Sequence, residues 1–188
     1  MGPPAHPKAE LVVAVRRAVQ DFVAASPREL ESRRRTLVEL DGLADPFSRE
    51  AGPVHVTGSG FVVGRRGTVL LVHRKLGIWV QPGGHVDAGE APWEAALREG
   101  NEETGLALQH PPGGPCLVHV DVHPAAAGHV HLDLRYLLEC PDDADPAPQE
   151  GESANVRWFG LDAALEVADE GLVEGLRRVA DMCPELRR

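Results

Sequence analysis

No stretch of this chain is apolar for the length that a membrane-spanning helix needs, and no two cysteines stand at the C-x-x-C spacing of a zinc or redox motif. The cysteines themselves are few: Cys116, Cys140 and Cys183, odd in number and far apart, which reads as reduced thiols and a cytoplasmic setting. The opening MGPPAHPKAE lacks the apolar centre of a signal peptide, and His6 stands where a myristoylation motif needs Ser or Thr. Positive charge is also short, with Lys+Arg 19 against Asp+Glu 29 and a net charge of −10. Such a surface repels nucleic-acid backbones and anionic membranes, so neither is expected as a partner. A small phosphorylated ligand is not excluded, because a bound divalent cation reverses the local charge. The 188 residues have ordinary hydrophobic content, enough for one domain with its own core and an attached segment.

Residues 1–8 read as a proline-rich tail. Val12, Val15, Val19 and Phe22 then recur at helical spacing. Ser26-Pro27-Arg28-Glu29 reads as a second helix start with a capping box, and the helix carrying Leu30, Leu37 and Leu40 should stop near Asp41-Gly42. Residues 1–45 are thus expected to form a tail and a helical pair, with the main domain over 46–188. From Val54 the pattern is strand-like, with Gly64-Arg65-Arg66-Gly67 as a hairpin turn between Phe61–Val63 and Val69–Val72. A helix is expected from about Glu90 to Thr104, stopped by Gly105, and a Pro/Gly loop over Gln109–Pro115. Two alternating strands follow, Val118–Val122 and Val130–Tyr136, close enough in sequence to pair antiparallel. Residues 141–151 form an acidic, proline-rich loop expected to be mobile, and after Val156–Phe159 a last helix carries Leu172, Leu176 and Val179. Strands and helices interspersed in this way fit an α/β mixed sheet covered by helices.

The densest chemical signal lies between Gly84 and Leu106: Gly84, five residues, Glu90, seven residues, Arg98-Glu99, two residues, Glu102-Glu103, one residue, Gly105, Leu106. Glu99, Glu102 and Glu103 sit at i, i+3 and i+4 and share one helix face, where like charges repel. In an arbitrary chain this is a solvated acidic face. Here a Gly-Gly loop enters the helix, so carboxylates and exposed backbone oxygens converge, a set of hard ligands suited to Mg²⁺ or Mn²⁺.

This stretch resembles the signature of the Nudix hydrolases, which cleave a pyrophosphate bond in a nucleoside diphosphate linked to another group. The resemblance implies an α/β/α sandwich over roughly residues 52–183, with Mg²⁺ as cofactor and Mn²⁺ as its substitute. By position it assigns Glu102, Glu103 and the Gly83 carbonyl as metal ligands, Glu99 as a ligand or as the group that helps deprotonate water, and Arg98 as a buttress pairing with acidic groups such as Glu90. A further acidic ligand from outside the signature is expected, with Glu152 the candidate and Glu150 its rival. Gly100 departs from the family, which usually has an aliphatic residue there. Glycine inside a helix costs about 1 kcal/mol relative to alanine. A bulky neighbour such as a tryptophan is expected to fill the space.

His119, Asp121, His123, His131, Asp133 and Arg135 fall on one face of the strand pair. They read either as a solvated sheet face or as a substrate wall, with Arg135 on a phosphate and Asp133 on a base or sugar. A separate histidine metal site is the less favoured reading, since the spacings match no standard zinc pattern. His85, one residue after Gly84, is expected near the bound phosphates, with a plain loop histidine as the other reading. Trp79, Trp93 and Trp158 read as packing residues, and Arg33-Arg34-Arg35 as a solvated helix face or dimer contact. The helical pair could serve a homodimer or pack on the sheet.

The context H-R-K-L-G-I-W-V-Q-P-G-G-H-V-D resembles a group of bacterial Nudix proteins, and no NADH-type S-Q-P-W-P-F-P or coenzyme-A pattern is present. A nucleoside triphosphate or related nucleotide is the family default, a non-nucleotide diphosphate the alternative. A ligand-binding regulator on the same fold would carry a decayed signature and a DNA-binding domain, and an isoprenoid diphosphate isomerase its own cysteine and glutamate motifs. Neither pattern is found.

Overall fold

Helix α1 (Lys8–Asp21) forms where Leu11, Val15 and Val19 recur at four-residue spacing and are buried, with Phe22 just past the last turn. Val12 lies at the edge of that face and is partly buried. Helix α2 (Pro27–Gly42) is capped by Ser26, whose Oγ accepts from the Glu29 N–H at 3.0 Å. The Glu29 carboxylate reaches past the cap and accepts from the Ala25 N–H at 2.6 Å. The computed structural model that provides these elements describes residues 6–142 and 144–187.

The buried face of α2 is not the expected leucine stripe. Glu29, Ser32, Thr36 and Leu40 are buried, Leu37 is partly buried, and Leu30 is exposed. The reason is what α2 packs against. The strands are β1 (Val54–Gly64), β2 (Gly67–Val72), β3 (Trp79–Val80), β4 (Gly83–His85), β5 (Leu117–Pro124), β6 (Val130–Glu139) and β7 (Val156–Phe159), and β5 is an edge of the sheet. Helix α2 lies along that edge. Ser32 Oγ accepts from the Val122 N–H at 3.2 Å, and Glu29 Oε1 pairs with His119 Nδ1 at 2.5 Å. A polar helix face thus answers a polar strand edge and covers it.

The sheet runs β3-β2-β1-β6-β5, with β4 on β1 and β7 on β2. β1 and β6 are parallel and the other pairs antiparallel, a mixed sheet as expected. The Gly64–Gly67 turn joins β1 to β2, and in the β5–β6 pair His119 faces Arg135, Asp121 faces Asp133 and His123 faces His131. Helix α3 (Pro92–Thr104) and α1 share one apolar cluster with β5 and β6, through Ala95, Ala96, Leu11, Val15, Val19, Val120, Leu132, Leu134 and Tyr136. On the other side, α4 (Leu161–Val167) and α5 (Glu170–Met182) pack Ala164, Leu172, Leu176 and Val179 against Phe61, Leu70 and Leu137. Short α4, β3 and β4 were not legible as elements.

Helix α1 shares its core with the sheet, so it packs on the main domain, one of the two arrangements expected for the helical pair. Deleting residues 1–45 uncovers Val120, Leu132 and Leu134, so the truncated chain is expected to aggregate or to lose its cooperative melting transition; a sharp wild-type transition would contradict this. The later part of the acidic loop, residues 144–151, is fastened rather than loose: the Ala147 N–H donates to Thr104 O at 2.8 Å and the Gln149 N–H to Glu102 O at 3.0 Å, and Asp143 lies outside the described residues. Among the described residues no disulfide links the cysteines, and no helix is long and apolar enough to cross a membrane.

Candidate active site

Helix α3 begins at Pro92, where a ring-fixed φ suits the first turn, and ends at Gly105 in the left-handed region (φ 68°), whose N–H donates to Asn101 O at 2.8 Å. Strand β4 approaches it so closely that a Cβ on Gly84 would overlap the Glu99 carboxylate. Only glycine lets the strand come this near.

Arg98 organises the acidic residues. Its Nε and Nη2 grip Glu90 bidentately at 2.9 and 3.0 Å, Nη1 donates to Glu99 Oε1 at 2.7 Å, and Nη2 also reaches His85 O at 2.9 Å. Glu102 Oε2 lies 3.6 Å from Nη1. A planar guanidinium can serve all these acceptors at once, which a lysine cannot. Glu103 accepts the Gly83 N–H at 2.8 Å. Burial nonetheless pushes Glu103 up to about 7; the Gly83 bond opposes this, and the charges of Glu99, Glu152 and Glu102 add to it. Burial likewise raises Glu99 despite its bond to Arg98. Glu152 lies close enough for its charge to act on both Glu99 and Glu103, whereas Glu150 is exposed and is not among the groups acting on them.

Glu99, Glu102, Glu103 and Glu152 thus converge beside the Gly83–Gly84 backbone with one arginine to offset them. Crowded oxygen donors, among which Glu99 and Glu103 resist ionisation because of burial and then of their acidic neighbours, fit a hard divalent cation. Residues 53–181 match the NUDIX domain family.

The chain belongs to the Nudix family.

The asymmetrical bis(5'-nucleosyl)-tetraphosphatase of Caenorhabditis elegans is 30% identical over 103 residues, covering 53% of this chain and 71% of that protein. Nudix hydrolase 6 of Arabidopsis thaliana is 27% identical over 147 residues, and the aligned part spans 73% of this chain but only 50% of that protein. A crystal structure of a C. elegans Ap4A hydrolase binary complex superposes with a TM-score of 0.58 at 22% identity, over 69% of this chain and 97% of that one, a likeness of fold. Together with the signature, the family makes this Nudix protein a pyrophosphohydrolase.

The Nudix departure at Gly100 has a local cause. A Cβ there would lie 2.9 Å from Leu108 Cδ1 and 3.2 Å from Leu138 Cδ1, so two leucines, not a tryptophan, fill the space. Gly100→Leu, which restores the usual side-chain type, is therefore expected to overpack this cluster and cost about 1–3 kcal/mol in urea unfolding; a gain in stability would contradict it.

The charged part of the expected substrate wall, Asp121, Asp133 and Arg135, is neither an open surface nor a solvated one, while His123 and His131 keep partial exposure. Asp121 and Asp133 are 2% exposed and Arg135 5%. Asp133 accepts from Thr57 Oγ1 (3.0 Å), Ser59 Oγ (2.6 Å), Gln81 Nε2 (3.3 Å) and Arg135 Nε (2.7 Å). Arg135 Nη1 donates to Gly171 O (3.0 Å) and Nη2 to Asp121 Oδ2 (2.9 Å), while Arg28 reaches Asp121 Oδ1 from α2 (2.9 Å). Burial alone would raise both aspartates, but Arg135 and the hydrogen bonds around them hold both below the usual carboxylate range. Asp133 and Arg135 are therefore committed to joining β1, β5, β6, α2 and α5. His85 lies at the end of β4, between the two faces of that strand. Its carbonyl meets Arg98, but its ring turns to the face of β4 opposite Gly84 and Glu99, where it meets His55 and His131.

Trp79 packs edge-on against Phe159 and Trp93 against Tyr136, as packing residues should, and Arg33 caps the end of α1 through Val19 O and Gln20 O. Sequence reading missed His55, Thr57, Ser59 and Gln81. The signal was present, since His55, Thr57 and Ser59 alternate along β1 as the polar residues of β5 and β6 do. Only the parallel pairing of β1 with β6 brings them together.

Proposed function

We propose that this Nudix protein hydrolyses a pyrophosphate bond of a nucleoside polyphosphate with Mg²⁺, or Mn²⁺ in its place. The observation that carries this is the convergence of Glu99, Glu102 and Glu103, from the C-terminal half of α3, with Glu152, beside the Gly83 carbonyl, the donors that would hold the cation. When bound, the cation supplies neutralisation of the phosphate oxygens and acidifies water. The protein's own part is positional. Arg98 fixes Glu99, which takes the proton of the attacking water, while Gly84 and Gly105 permit the tight backbone that brings carboxylates and loop together. Water attacks one phosphorus, the bridging P–O bond breaks, and a phosphorylated product leaves. No serine or cysteine nucleophile is needed; orientation and charge stabilisation account for the rate. The nucleoside polyphosphate class is supported by the C. elegans tetraphosphatase to which the chain is similar.

A panel of dinucleoside polyphosphates, nucleoside triphosphates, oxidised nucleotides, nucleoside diphosphate sugars and non-nucleotide diphosphates, assayed with Mg²⁺ by phosphate and nucleotide release, tests the class. Turnover is expected among the nucleoside polyphosphates; turnover confined to non-nucleotide diphosphates would overturn the nucleotide assignment.

A pH dependence follows from Glu103. Its carboxyl is raised from 4.5 to about 7 in the cation-free fold. The folded state therefore binds a proton more tightly than the unfolded one across that window, and this contribution to stability is lost as pH rises through it. A cation needs the ionised carboxylate. The gain in melting temperature on adding Mg²⁺ is thus expected to be larger near about pH 8 than near about pH 5.5. An equal gain at both would contradict the role of Glu103 as a ligand.

A further inference from the structure

On the far side of β4 from the carboxylates, three histidines from three strands meet: His55 of β1, His85 of β4 and His131 of β6. One ring nitrogen from each lies within 4.8 Å of the others. The ring centroids are 5.2 Å apart for His55–His85, 5.0 Å for His55–His131 and 5.3 Å for His85–His131. His129 and His123 stand just outside, at 5.2 Å from His55 and 5.4 Å from His131. The register explains the meeting: His55 pairs with His131 across the parallel β1–β6 ladder, and β4 brings His85 opposite Thr57 on the other side of β1.

His55 is the decisive member. It is fully buried, yet neither ring nitrogen makes a hydrogen bond of ordinary geometry; the Gly52 backbone offers it only a weak polar contact, outweighed by burial. A buried polar ring without a partner is costly and needs a reason. Three mutually facing imidazoles cannot satisfy one another when all are charged, and as neutral rings each offers a lone pair. We propose that His55, His85 and His131 form a site for a divalent transition ion of the zinc class, distinct from the carboxylate site for Mg²⁺.

The chemistry of the donors separates the two sites. Neutral imidazole nitrogen suits Zn²⁺, Co²⁺ and Ni²⁺, whereas carboxylate oxygen suits Mg²⁺. Burial, reinforced by the neighbouring histidines, holds His131 down to about 4 and lowers His55, so both offer lone pairs at neutral pH. Asp133, whose charge acts on His131, supplies negative charge behind the ring. Three histidine ligands leave a fourth position of a tetrahedral ion open, and His85 and His131 are only half-buried, so water or an anionic ligand can reach it.

The test uses the full chain, stripped with chelator and then held in saturating Mg²⁺ to occupy the carboxylates, titrated with Co²⁺ and followed by its visible absorption and by metal analysis after desalting. Wild type is expected to take up one equivalent with the spectrum of a low-coordinate nitrogen site. His85→Ala and His131→Ala are each expected to weaken binding by more than ~10²-fold. Glu102→Gln and Glu103→Gln should leave the uptake and spectrum unchanged. Metal-free melting curves show whether each histidine variant is folded, and the half-exposed His85 keeps the test valid if His131→Ala is not. No uptake by wild type, or uptake that survives both histidine variants and disappears with the glutamate variants, would overturn the proposal. Neither result bears on the carboxylate site, whose test is turnover.

Discussion

Glu103→Gln is expected to lower kcat by roughly 10²–10³-fold or more while leaving the fold intact, and in the absence of cation to raise the melting temperature near about pH 8. Both effects have one cause. The Glu103 carboxyl is buried beside three other carboxylates and is pushed up to about 7, so keeping it ionised works against folding. The neutral amide removes that repulsion, and its oxygen can still accept the Gly83 N–H. The same substitution removes a charged donor from the cation site and with it the stabilisation of the charge that develops on the pyrophosphate. Activity and stability should therefore move in opposite directions, the usual mark of a site built against the interest of the fold. A variant that loses activity together with several degrees of melting temperature would instead assign Glu103 a structural role.

The second large effect is on stability. Asp133→Ala is expected to cost about 3–5 kcal/mol in urea unfolding, because it removes one partner of a buried ion pair and leaves Arg135 with a single carboxylate. Thr57, Ser59 and Gln81 lose their acceptor at the same time. Arg28→Ala, which deletes the half-exposed outer member of the network, should cost far less, about 1 kcal/mol or below. If Asp133→Ala were stable but raised KM, Asp133 would belong to a substrate wall after all.

These two aspects of the molecule were legible to different degrees. The signature lies in one contiguous stretch of loop and helix, and local spacing alone places Glu99, Glu102 and Glu103 on one face and Arg98 beside them. The hairpin at Gly64–Gly67 and the cap at Ser26 are equally local. By contrast, the polar residues of β5 and β6 alternate as an exposed sheet face would. Their burial depends on Arg28 from α2, Gly171 from α5 and Thr57 and Ser59 from β1, contacts separated by dozens of residues. The same distance hid the buried polar face of α2, where Glu29 meets His119. It also hid the histidine cluster, for which no linear spacing exists because its members come from three strands. Glu152 occupies the middle ground. Its place outside the signature could be suspected from sequence, but telling it from Glu150 needs the fastening of Ala147 and Gln149 to the end of α3, which sequence spacing does not show.

The most direct test of the account is turnover of a dinucleoside polyphosphate in isotopically labelled water with Mg²⁺, comparing wild type with Glu102→Gln and Glu103→Gln. The account predicts hydrolysis by wild type with one labelled oxygen in a product phosphate, and near-complete loss in both variants and on chelation. Hydrolysis that persists in both variants, or no hydrolysis of any nucleoside polyphosphate while a nucleotide still raises the melting temperature, would contradict it and point to a binding module instead.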